Sequence, residues 1–160
     1  MNAFDFAMQM ERDGERYYRE LSEKTDNGGV RNILVMLADA EIAHYHLFRD
    51  MREGTPVQTS ESAILDDVKN IFAEMKAQGS SQADPGQTDL YRKALEIEKK
   101  SRDFYLAQAE ETPEEERKEI FRKIAAEEGK HYRIVENILD FISRPEQWLE
   151  DAEWYHLDEY

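Results

Sequence analysis

Glu41 precedes His44 by three residues, Glu128 precedes His131 by three, and a further glutamate stands 30 residues before each pair, Glu11 and Glu98. Shifting the sequence by 87 positions lays one set on the other without a gap, and brings Tyr17 and Tyr18 onto Phe104 and Tyr105. Residues 7–48 and 94–135 share 10 of 42 positions: Ala7, Glu11, Tyr18, Glu23, Thr25, Ile33, Ala38, Glu41, His44 and Tyr45. Composition alone accounts for matched Ala and Glu in acidic helical segments. It does not account for the repeated spacing of carboxylate and imidazole. On a helix, a Glu and a His three residues apart differ by about 60° around the axis and ~4.5 Å along it, so both reach one metal cluster.

The midpoints of the two 30-residue separations are residue 26, in the run Asp26, Asn27, Gly28, Gly29, and Pro113. If each half is an antiparallel helical hairpin, residues equidistant from the turn share a height, so Glu11 faces Glu41 and Glu98 faces Glu128. Four carboxylates then carry a charge of about −4 that two divalent cations neutralise; without cations they form a costly buried cluster on faces of Leu, Ile and Tyr. One neutral imidazole per ion completes a symmetric set, with Glu11, Glu41, His44, Glu98, Glu128 and His131 as candidate ligands and the groups through which catalysis would act. Mixed carboxylate and imidazole ligation favours iron or manganese and also admits zinc.

Tyr18 and Tyr105 lie seven residues beyond Glu11 and Glu98 on the same helix face. Each hydroxyl is in reach of a ligand carboxylate on a neighbouring helix, the alternative being core filling. Tyr45 and Tyr132 point about 100° away from the histidines they follow and read as packing. His46 matches Arg133 in the repeat and reads as surface. Glu153 and His156 also have the three-residue spacing, but their repeat partner is Lys69, so they read as coincidence.

The elements that must position these groups are helices. Only 4 Pro and 7 Gly occur, clustered at a few points, where strands would need turns every eight to twelve residues. Helix A spans 3–26 and ends at the Asp-Asn-Gly-Gly run; helix B spans 29–53, its apolar stripe interrupted by Glu41 and His44, and stops at Gly54, Thr55 and Pro56. A crossover over 55–87 carries one short amphipathic helix, 61–78. Helix C covers 88–112, and helix D covers 113–143, with Thr112 as its cap and Pro113 at its first helical position. Residues 145–160 form a tail with Trp148, Trp154, Tyr155 and Tyr160, read as one short docked helix. The expected fold is all-α, an antiparallel four-helix bundle over 1–144 with a long helical crossover.

Composition narrows the function. There are 21 Lys and Arg against 36 Asp and Glu, a formal charge of −15, so nucleic acid and anionic membranes are poor partners. With 40% apolar residues, 160 residues can fill one core. The absence of Cys excludes a thiol nucleophile, a disulfide framework and Cys-ligated zinc or iron–sulfur centres. The longest apolar run, Ile33 to Ala38, is far short of a bilayer span, and the N-terminus lacks a basic region followed by an apolar one, so a cytoplasmic location is expected.

A bundle giving Glu from two helices and Glu-x-x-His from two others resembles the ferritin-like di-iron carboxylate superfamily. Glu11, Gly14, Tyr17 and Tyr18 on helix A and Ala126, Glu128 and His131 on helix D make residues 3–142 most similar to its rubrerythrin-like branch. That resemblance implies two iron ions, with Glu41 and Glu128 bridging, Glu11 and Glu98 chelating one each, and His44 and His131 capping one each. It implies reduction of hydrogen peroxide, or oxidation of Fe(II) by peroxide or dioxygen, in a homodimer or larger homo-oligomer. Two departures stand out. Ser101, with Gly14 at the repeat-related place, occupies the position of an extra ligand Glu that exchanges with His during turnover in rubrerythrins. Without Cys there is no rubredoxin centre, so electrons come from an external donor, rubredoxin-like or a flavoprotein. Iron storage in a bacterioferritin-like cage is the second reading, although Ile42 stands where a haem-binding Met is expected. A metal-free or zinc-holding helical interaction module is the third.

Overall fold

The computed structural model describes residues 2–79 and 82–150. Six α-helices and one 3-10 turn account for their regular structure, and no strand occurs among the described residues: α1 (Ala3–Lys24), α2 (Gly28–Arg52), α3 (Ile64–Gln78), the turn Pro85–Gln87, α4 (Thr88–Glu111), α5 (Glu115–Ser143) and α6 (Pro145–Glu150). The chain is all-α, as expected. α1 pairs with α2 and α4 with α5 as long hairpins, and the hairpins face each other through α1 with α4 and α2 with α5.

Side chains at the ends set these boundaries. Asn2 accepts from the Asp5 amide at 2.8 Å and caps α1. Asn27 does the same for α2, accepting from Val30 N at 3.0 Å, and its amide donates to Gln82 O at 2.9 Å, tying the end of the crossover to the first turn. Because Asn27 is the cap, Gly28 and Gly29 belong to α2 instead of ending α1, whose last carbonyls are met by Arg31 and Gln87 side chains. The start of α5 also differs from expectation. The Thr112 hydroxyl donates back to Gln108 O at 2.6 Å, so Thr112 finishes α4 rather than capping α5, which begins at Glu115 without a side-chain cap bond. Gly79 ends α3 with φ 68°, the left-handed conformation that glycine adopts at least cost.

The apolar core comes in two pieces. One contains Tyr18, Leu34, Ala38, Ala94 and Ile134; the other contains Ala7, Phe48, Tyr105, Phe121 and Ala125. On every long helix the polar candidates fall between them: Glu11 between Ala7 and Tyr18, Glu41 and His44 between Ala38 and Phe48, Glu98 between Ala94 and Tyr105, Glu128 and His131 between Ala125 and Ile134. A buried polar layer thus crosses the middle of the bundle.

α3 lies against α2 and α5 through Ile64, Val68, Phe72 and Met75, spaced for one helix face. α6 sets Trp148 edge-on against Phe72 and Phe141, with centroids at 5.4 and 4.8 Å. Trp154, Tyr155, His156 and Tyr160 lie outside the described residues. Trp148 is 5% exposed, so Trp148→Ala is expected to cost about 3 kcal/mol in urea unfolding while leaving metal stoichiometry unchanged; a change below about 1 kcal/mol would show that the tail is not part of the core.

Candidate metal centre

Mid-helix placement brings all six candidates together. Ligand atoms of Glu11, Glu41, His44 and Glu128 lie within 4.8 Å of one another, and so do those of Glu41, Glu98, Glu128 and His131. Glu41 and Glu128 belong to both groups. His44 Nδ1 stands 3.0 Å from Glu128 Oε1 and 3.4 Å from Glu11 Oε1; His131 Nδ1 stands 3.2 Å from Glu41 Oε1 and 3.5 Å from Glu98 Oε1. The imidazole rings stack with centroids 5.9 Å apart and planes at 12°. Each histidine therefore reaches the shared carboxylate of the opposite hairpin, and the two halves are related by a pseudo-two-fold.

The tyrosines complete the symmetry. Tyr18 on α1 donates to Glu98 Oε1 on α4 at 2.5 Å, and Tyr105 on α4 donates to Glu11 Oε1 on α1 at 2.7 Å. Each phenol orients the carboxylate of the other hairpin. Tyr45 and Tyr132 face away from the centre, under Arg12 at 5.0 Å and Arg102 at 5.8 Å respectively. His46 is exposed.

Among the described residues, four buried side-chain polar atoms lack a hydrogen-bond partner, and three are oxygens of this cluster: Glu11 Oε2, Glu98 Oε2 and Glu128 Oε2. Buried carboxylate oxygens are costly to leave unmatched. A cation satisfies them where a hydrogen-bond donor is missing, so the residues fit a metal pair of carboxylate and imidazole ligation.

Burial pushes every carboxyl in the cluster upward, and the neighbours decide the outcome. For Glu41 and Glu128 the negative charges of Glu11 and its companions add to burial, and both sit well above the usual carboxylate range. For Glu11, the charge of His44 and the hydrogen bond from Tyr105 outweigh burial and hold it low. For Glu98, burial is outweighed by the neighbouring Glu128 and His131, and it is held at about 2. Burial lowers His44, but Glu11 more than compensates and raises it. The metal-free cluster therefore divides into two carboxyls held low and two driven up. Both tyrosines, raised by burial and then by Glu98 or Glu11, remain donors.

Some participants were not legible in the repeat. Gly14 faces Glu41, and a Cβ there would stand 3.3 Å from its Cδ and Oε2, so glycine leaves room for the shared carboxylate. Glu127, beside Glu128, accepts from Ser62 N at 3.0 Å and Ser62 Oγ at 2.7 Å and pairs with Lys130 Nζ at 3.1 Å. Its role depends on where the crossover lies, which periodicity cannot supply.

The family model for rubrerythrin matches residues 2–139. The chain belongs to the rubrerythrin family. Compared with curated proteins and with solved structures, it finds no match in either. The matched span covers α1 to α4 and most of α5, and so contains all six candidate residues of this rubrerythrin-family bundle.

Two expectations follow. Since Glu41 and Glu128 are common to both groups, Glu41→Ala or Glu128→Ala is expected to lose both metal ions, whereas Glu98→Ala retains one; metal analysis after equilibrium dialysis distinguishes these, and equal losses would deny the sharing. The second concerns pH. Glu41 and Glu128 are raised in the folded chain, so their contribution is full below the unfolded value of about 4.5 and is lost as pH rises through the folded value; His44 acts in the same sense above about 6.5. Glu11 and Glu98 are lowered and contribute a constant amount across that window. The thermal midpoint of chelated protein is expected to fall from about pH 5 to about pH 8, and the double variant Glu41→Gln, Glu128→Gln to flatten the decline.

Proposed function

We propose that this rubrerythrin-family bundle is a di-iron oxidoreductase that reduces hydrogen peroxide with electrons from an external donor. The observation that carries the reading is the buried, two-fold layer of four carboxylates and two imidazoles with three unsatisfied oxygens. A bound iron pair would supply the two electrons for cleavage of the O–O bond, hydrogen peroxide taking up two electrons and two protons to leave as two waters, with the external donor restoring the electrons.

The protein's own groups account for the rest. Glu11 and Glu98 offer one anionic carboxylate to each metal position, with His44 and His131 as the neutral donors. Glu41 and Glu128, which belong to both ligand groups, would serve both cations as carboxylates. Tyr18 and Tyr105 fix the terminal carboxylates, and the two apolar clusters exclude bulk water from above and below the layer. No Cys occurs in the sequence, so the reductant is a separate carrier, which an external rubredoxin-like protein or flavoprotein would supply. Self-association fits the exposed Phe6 and Leu106 on α1 and α4.

An anaerobic Fe(II) titration of metal-free protein, split between stoichiometric peroxide and dioxygen, tests the proposal. Saturation at two irons per chain, with ferric absorbance appearing much faster with peroxide, is expected. Comparable rates with dioxygen and uptake continuing past two irons would favour iron oxidation and storage instead. No uptake would end both readings.

A further inference from the structure

The two apolar clusters cap the ends of the polar layer, and on the α1 and α4 flank Tyr18 and Tyr105, 1% and 0% exposed, bridge across it. The flank between α2 and α5 differs. Between α2 and α5 runs a groove of about 510 Å³ whose wall includes Ala40, Ala43, His44, Asp50, Glu127 and His131, with crossover residues 56–60 and Ser62 along its outer rim. Both candidate ligand histidines thus border it, and His44 is the most exposed of the six candidates at 9%, against 1–3% for the others.

The groove wall mixes apolar side chains such as Leu47, Val57 and Ile124 with His46, Asp50, Lys123 and Glu127. Alanines at 40 and 43 keep the α2 side low, and Ser62 is bound through its amide and hydroxyl to Glu127, itself tied to Lys130. That anchor holds the crossover at a fixed distance over the groove. A chain of net charge −15 draws cations toward it, whereas a neutral oxidant gains nothing from that field.

We propose that the groove between α2 and α5 is the port through which a hydrated divalent cation enters the centre, with His44 as the first ligand it meets and the Ser62–Glu127 contact holding the crossover clear. The proposal rests on the metal-centre reading above, and concerns loading, not turnover. An entering ion exchanges water first for the imidazole at the groove floor and then for the carboxylates behind it.

The test follows Co(II) uptake by the metal-free full chain in stopped flow, read by the visible absorbance of bound Co(II). Ala43 is exposed, so Ala43→Leu narrows the groove without touching the core. It is expected to slow uptake about tenfold while final stoichiometry and final spectrum match wild type. Ala126→Leu, exposed on α5 and bordering a different groove, is the control and should load at the wild-type rate. Higher ionic strength should slow wild-type loading. A wild-type rate in Ala43→Leu, or equal slowing in Ala126→Leu, overturns the port and leaves the metal centre standing. Failure of wild type to take up Co(II) overturns the metal centre itself.

Discussion

Four carboxyls and two imidazoles sit where an ordinary helical bundle keeps Leu and Ile, and their charge has to be met there because water is largely shut out. In the absence of metal, burial and anionic neighbours drive the Glu41 and Glu128 carboxyls up, while histidine and tyrosine hold Glu11 and Glu98 down. A bound cation would supply the compensating charge, and its binding would be linked to the protonation of the same carboxyls. The long helices, the split apolar core and the tyrosine bridges all serve to hold six polar groups at one height. The charge balance of the layer is thus tied to the fold itself, because all six groups sit at one height in the cross-section.

Much of this was legible in the residues. Spacing alone placed Glu11, Glu41, His44, Glu98, Glu128 and His131 at one level, because rise per residue and hairpin symmetry are fixed by backbone geometry. The tyrosines were legible as candidates, since two full turns from a ligand on the same face leave only the identity of the partner helix open. Ends were less legible. Thr112 and Pro113 read as the start of a helix, yet the threonine hydroxyl bonds backward to Gln108, and Asn27 captures two glycines for α2. Competing local hydrogen bonds decide such positions, and they differ by little energy. Least legible was Glu127, whose contact with Ser62 joins residues 65 positions apart across a crossover of no fixed period.

The crossover has a second consequence for the site. α3 covers α2 and α5 at the end rich in Leu and Ile, and α6 closes over it with Trp148. The stretch before α3 instead runs past the histidines, anchored at Ser62. One connection therefore seals the apolar end of the molecule and leaves the polar layer approachable, a division that follows from where its helical part begins.

Glu41 and Glu128 come from different hairpins yet enter both ligand groups, and each histidine leans on the shared carboxylate of the other hairpin. One hairpin alone holds two carboxylates and one imidazole, half of a working set. Two such hairpins associated about a two-fold axis complete it. Joining them through residues 55–87 converts that association from a concentration-dependent event into an intramolecular one. It also lets each half carry its own residues, Gly14 in one and Ser101 at the related place in the other, so that the two ligand groups face different surroundings.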